Sequence, residues 1–146
     1  MLYLISITVK DYEVSRLLHK HGYTRDQTSF TKHILAPTES DKIAWEISRA
    51  NPHTEALCLT SHLKFVGCAT PFLTNDNSGK KIKGYIKESL SFLPQKHFTK
   101  LLETPGIFQQ LGSDTIKNIN TFTDMIAEKL IGPVLEKGAL RREKDN

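Results

Sequence analysis

At 146 residues the chain fits one domain, long enough to bury roughly two thirds of its unfolded surface without disulfides or metals to staple it. Hydrophobic residues make up 38% and charged residues 25%, which excludes a disordered polyelectrolyte, and no apolar run approaches the roughly 20 residues that span a bilayer. The net charge of +4 permits contact with phosphate or acidic partners without demanding it. Cys58 and Cys68 are too few for a disulfide scaffold and read as reduced packing residues, and the expected compartment is the cytoplasm.

Residues 2–9, an apolar and β-branched run, read as a buried strand. No basic residue precedes that run and Lys10-Asp11 follows it at once, so it is not read as a secretory leader. Val14, Leu17, Leu18 and His21 recur at helical spacing, giving a short helix over 12–21 that Gly22 closes. Gln27 to Leu35, with Phe30 and Ile34 among polar residues, reads as a second strand stopped by Ala36-Pro37. Thr38-Glu39-Ser40-Asp41 is a helix start with a hydroxyl cap and an acid three residues on. The helix that follows is expected to bury Ile43, Ile47 and Ala50, with Trp45 on its flank, and to end at Asn51-Pro52.

Ala56 to Val66 alternates Leu57, Leu59, Leu63 and Phe65, a strand pattern that continues past Gly67 toward Leu73. The order of elements therefore predicts an α+β protein. A ferredoxin-like βαββαβ-type half over residues 1–73 is followed by a helical half over 74–146 packed on the same domain. In that second half, Thr74 to Gly79 is a loop by composition, and helices follow over 81–92 and 95–103, the latter closing before Thr104-Pro105-Gly106. A third helix starts at Ser113-Asp114 and carries a stripe of Ile116, Ile119, Phe122, Ile126 and Leu130. Gly132-Pro133 is expected to kink or break it, and Gly138 to Asn146 to fray.

The least generic stretch is Leu18 to Ser29. Its Gly22, Tyr23, Arg25, Gln27 and Ser29 resemble the helix-to-strand passage of the VapD proteins and of the small CRISPR-adaptation endonucleases. The resemblance is confined to residues 1–70. It implies a ferredoxin-like homodimer that acts on RNA or DNA, usually with a divalent metal such as Mg²⁺. The family's first-strand Asp falls near Ile7 here, and the nearest carboxylate is Asp11, which makes Asp11 the catalytic and metal-binding candidate. A hard cation requires anionic oxygen, which Ile7 does not offer.

Alternate residues of a strand share a face, so Arg25, Gln27 and Ser29 are read together as candidate contacts to phosphate or base. Lys80, Lys81, Lys83 and Lys87 form a basic cluster, and on a helix Lys80, Lys83 and Lys87 fall on one face suited to a phosphate backbone. His53, Cys58, His62 and Cys68 match no standard zinc spacing. Neither a nucleophile elbow nor a Gly-rich phosphate loop is present. Two functional readings follow. One is a small nucleic-acid-acting protein of the VapD type, with catalysis retained or lost. The other is a non-catalytic protein–protein interaction module, such as an adaptor, antitoxin or effector, docking through residues 113–135.

Overall fold

The computed structural model describes residues 1–74 and 76–136, and every regular element among them is helical. The elements are α1 (Leu2–Lys20), α2 (Thr24–Ile34), α3 (Glu39–Ser48), α4 (Pro52–Ala69), a 3₁₀ turn (Thr70–Phe72), α5 (Asn77–Ser89), α6 (Gln95–Phe108) and α7 (Thr115–Ile126). A π-helical turn (Ala127–Ile131) extends α7, and 132–136 are again α-helical. The Gly138–Asn146 tail, with Arg141 and Arg142, lies outside the described residues.

The α+β, ferredoxin-like expectation is therefore corrected: no strand occurs among the described residues. The reason lies in which period each apolar run satisfies when it packs. Residues 2–9 are the first turns of α1, and the side chains they bury are Ile5, Thr8 and Val9, followed by Tyr12 and Ser15. That spacing of three and four is helical, and it leaves Leu2 and Tyr3 in solvent. Residues 56–66 lie within α4, which buries Ala56, Leu59, Thr60, Leu63, Val66 and Gly67. Leu57, one of the four residues that made the alternation look strand-like, is 43% exposed. Three buried threonines solve their own polarity: Thr8, Thr60 and Thr70 each donate their hydroxyl at 2.7 Å to the carbonyl four residues back. That internal bond makes a β-branched polar residue acceptable in a buried helix.

Other boundaries match their signals. Gly22 takes φ +84°, the left-handed conformation that ends α1 at low steric cost. Thr38 and Asp41 form a reciprocal capping box at the start of α3. Asn51 is extended and its side chain accepts from His53 N–H, so Asn51-Pro52 both separates α3 from α4 and starts α4 with proline in its first turn. The face of α3 is the reverse of the expected one. Trp45 and Ser48 are buried, whereas Ile43 and Ile47 are 59% and 71% exposed.

Pro105, expected just past the end of a helix, and Pro133, expected to kink or break one, both sit inside helical segments. Pro105 lies within α6 and has no N–H for the Leu101 carbonyl, and the buried Thr104 hydroxyl donates to that oxygen at 2.7 Å. Pro133 likewise offers nothing to the Lys129 carbonyl, which accepts from Lys100 Nζ at 2.6 Å. In both cases a side chain supplies the donor that proline removes.

α1 and α4 form the spine, with α7 packed on α1, α3 and α6 on α4, and α2 beside α5. One hydrophobic cluster runs from Ile5 to Val134 and draws on both halves of the chain. At its centre Phe108 stacks on Phe122, ring centroids 4.6 Å apart, and lies 5.1 Å from Tyr12. Polar ties close the end of this layer. Arg16 donates to the carbonyls of Leu111 and Gly112, and Glu13 accepts from Thr115 and Asn118.

Candidate functional site

Helical geometry redistributes the residues singled out in the sequence. On α2, Arg25 and Ser29 are one turn apart, while Gln27 is rotated by roughly 200° from Arg25. The single face expected of Arg25, Gln27 and Ser29 therefore does not exist. Gln27 instead lines a groove of about 400 Å³ between α1, α2 and α4, whose walls include Asp11, Leu18, Phe30, Phe65 and Cys68. Asp11 and Gln27 are thus brought together, and Arg25 and Ser29 are exposed outside that groove.

The neighbour of Asp11 in this groove is a cation: Lys64 Nζ lies 3.7 Å from its carboxylate. A Mg²⁺ site needs further anionic oxygens around the same point. Among the described residues no three His, Cys, Asp or Glu side chains converge closely enough to hold a metal ion.

Cys68 also lines the groove. Burial, reinforced by the Asp11 carboxylate, pushes its thiol up to about 11.

Lys80, Lys83 and Lys87 share one side of α5, as their spacing implied, with Lys81 rotated by about 100° from Lys80. Asp76 caps α5 by accepting from Gly79 N–H at 2.8 Å, so the helix begins at Asn77, inside the stretch expected to be loop. Hydrogen bonds from Thr74 and from that backbone hold the Asp76 carboxyl below the usual range, and it remains ionised. α5 buries Gly79, Ile82 and Ile86, with Leu90 just beyond its end, which turns Lys80, Lys81, Lys83 and Lys87 outward. All four are exposed. None makes an ion pair among the described residues, unlike Lys42 and Arg49 on α3, which pair with Glu39 and Glu46.

Gly84 sits in the middle of this face, three or four residues from Lys80, Lys81 and Lys87. It is exposed, and a Cβ built there would meet nothing within 4 Å. Glycine in a helix interior costs about 1 kcal/mol relative to alanine, and packing among the described residues gives no reason for it here. Its effect is a gap in the side-chain layer, over which a ligand can approach the helix backbone between lysines. α2 packs beside α5 and adds exposed Arg25, Lys32 and His33.

A second cluster, which sequence spacing concealed, lies at the junction of α3 and α4. Cys58 Sγ and His62 Nε2 are 4.0 Å apart across one turn of α4. Burial pushes the Cys58 thiol up and the His62 imidazole down, and the Asp41 carboxylate acts on both. Both groups are thus neutral near pH 7, so the pair is not the thiolate–imidazolium couple of a cysteine hydrolase. The Phe92 ring meets His62 edge-on at 5.6 Å. A cavity of about 370 Å³ lined by His33, Pro37, Asp41, His62 and Ser89 opens beside it. Read as a strand, this segment separates the two residues. As a helix it places them at i and i+4.

A buried His97–Glu55 pair at 2.9 Å, with Trp45 edge-on to the imidazole, joins α6 to α4 and α3. The stripe on α7 is largely core: Phe122, Ile126 and Leu130 are buried, and Ile116 is exposed. No helix among the described residues is long and apolar enough to cross a membrane. No protein-family model matches the chain, and no curated protein or solved structure shows significant similarity to it.

Proposed function

We propose that this protein binds the phosphate backbone of a nucleic acid along the outer face of α5, without cleaving it. The observation that carries the reading is the exposed Gly84, without a packing neighbour among the described residues and ringed by Lys80, Lys81, Lys83 and Lys87. Lys80 and Lys87 are seven residues apart, about 10 Å along the helix axis, so one helix face meets more than one phosphate of a strand. Binding through such a face is independent of sequence and is driven by counterion release. Asp11 lies in the α1–α2–α4 groove beside Lys64 rather than on this face, which supports binding without metal-assisted hydrolysis.

The test is fluorescence anisotropy of a labelled 12-nucleotide RNA titrated between about 50 and 200 mM KCl. Four phosphate contacts to a single strand give a log–log salt slope near −3. Replacing Lys80, Lys83 and Lys87 together by alanine is expected to reduce that slope by about 2. Gly84→Leu fills the gap, and it is expected to weaken binding while leaving thermal stability unchanged or higher. Absence of binding at the lower salt, or binding indifferent to all four substitutions, would overturn the proposal. Cleavage that needs Mg²⁺ and is lost in Asp11→Asn would restore a catalytic role.

A protein-docking reading is favoured by one other observation. Ile43 and Ile47 lie one turn apart on α3 and are largely exposed, which makes α3 an apolar face open to a partner.

A further inference from the structure

We propose that Cys58 and His62 form a two-coordinate site for a soft monovalent cation, Cu(I). This goes beyond the phosphate-binding reading and is independent of it, since the pair lies on α4, away from the lysine face of α5.

The geometry favours this ion. A metal bonded to sulfur at about 2.3 Å and to nitrogen at about 2.0 Å separates the two by roughly 3.5 Å when tetrahedral, and by roughly 4.3 Å when linear. The observed 4.0 Å between Sγ and Nε2 falls between these values, so an open, low-coordinate ion fits with a small rotation of either side chain. A tetrahedral Zn²⁺ would need two further ligands, and no third His, Cys, Asp or Glu converges on the pair among the described residues. Thiolate with imidazole is a donor set that suits Cu(I), which is content with two ligands.

Cys58 binds by losing its thiol proton to solvent, which places a thiolate against the cation. His62 coordinates through Nε2, the ring atom that lies 4.0 Å from Cys58 Sγ. Asp41 bears on both ligands electrostatically and favours any cation between them. It is itself held by the α3 capping box, accepting from Thr38 N–H at 2.8 Å and from the Thr38 hydroxyl at 2.7 Å. The Phe92 ring meets His62 edge-on, and His62 lines the adjoining cavity.

The experiment is an anaerobic titration of the reduced full-length protein with Cu(I), in competition with the chromophoric chelator bicinchoninate. Ag(I) serves as a redox-inert second probe. One equivalent is expected to bind to the wild type and to Cys68→Ser, with none withheld from the chelator by Cys58→Ser. His62→Gln is expected to lower affinity at least tenfold, with circular dichroism confirming that each variant is folded. X-ray absorption of the Cu(I)-loaded wild type reads the donors without any substitution, and one sulfur with one nitrogen is expected. Retention of Cu(I) by Cys58→Ser, equal affinity in His62→Gln, or a spectrum with sulfur donors alone would each overturn the assignment.

Discussion

Thr104→Val in α6 isolates the bond that lets this helix pass through Pro105. Valine keeps the shape of threonine and removes the hydroxyl. Thr104 is 2% exposed, Leu101 is fully buried, and the hydroxyl donates to the Leu101 carbonyl at 2.7 Å. That carbonyl has no backbone donor at i+4, because position 105 is proline. The substitution therefore strands a buried acceptor, at a cost of about 1–3 kcal/mol. The companion change Pro105→Ala restores an N–H at the required place. In that background Thr104→Val is expected to cost less than about 0.5 kcal/mol, giving a coupling of at least about 1 kcal/mol in a double-mutant cycle. Urea unfolding of the four proteins, followed by helical circular dichroism at 25 °C, measures each difference from the transition midpoint and slope. An equal cost of Thr104→Val in both backgrounds would refute the reasoning, because the hydroxyl would then not be standing in for the missing amide.

Three further outcomes are expected. Gly67→Ala places a methyl 2.9 Å from Phe108 Cζ, a ring already held by Phe122 and Tyr12; it should destabilise by about 1–3 kcal/mol despite alanine's better helix propensity, and Phe108→Leu should recover part of the loss. His62 is depressed below its ordinary 6.5 by burial, so the unfolded chain takes up its proton first, and stability should fall as pH drops below about 6.5. Comparing urea midpoints near pH 7.5 and 5, His62→Gln should lose less than wild type, and equal losses would count against the buried imidazole. Cys68, raised from 9.0 to about 11, keeps its proton in the folded state where the unfolded chain releases it. Stability should therefore decline between those pH values by up to about 2–3 kcal/mol, and Cys68→Ala should flatten that decline in alkaline unfolding curves.

Punctuation was legible from the residues alone, because its causes are local. The Thr38–Asp41 capping box, the left-handed Gly22, the Asp114 cap of α7 and the break at Asn51-Pro52 are each set within about four residues. The outward lysines of α5 were also legible, since Ile82 and Ile86 leave those positions no other direction. Fold class was not. Residues 2–9 and 56–66 are apolar enough to satisfy period 2 or period 3.6, and what decides between them is the neighbour that covers the buried face. Here α1 and α4 cover each other, and Thr8 and Thr60 close their hydroxyls onto their own helices. The inward face of α3 was decided in the same way, by Trp45 meeting His97 on α6 rather than by the hydrophobicity of Ile43 and Ile47.

The two prolines follow the same rule at longer range. Proline removes a donor wherever it stands, and the sequence shows that much by itself. Whether the helix then stops depends on a replacement donor for the freed carbonyl. Thr104 supplies it from the adjacent residue, and Lys100 from 29 residues away. The candidate sites divide along the same line. Gly84 among its lysines is a property of one helix, whereas the meeting of Cys58 and His62 exists because the segment carrying them coils rather than extends. Local chemistry set the caps, turns and charged face of this protein, and mutual burial of α1 and α4 decided that those two segments are helix.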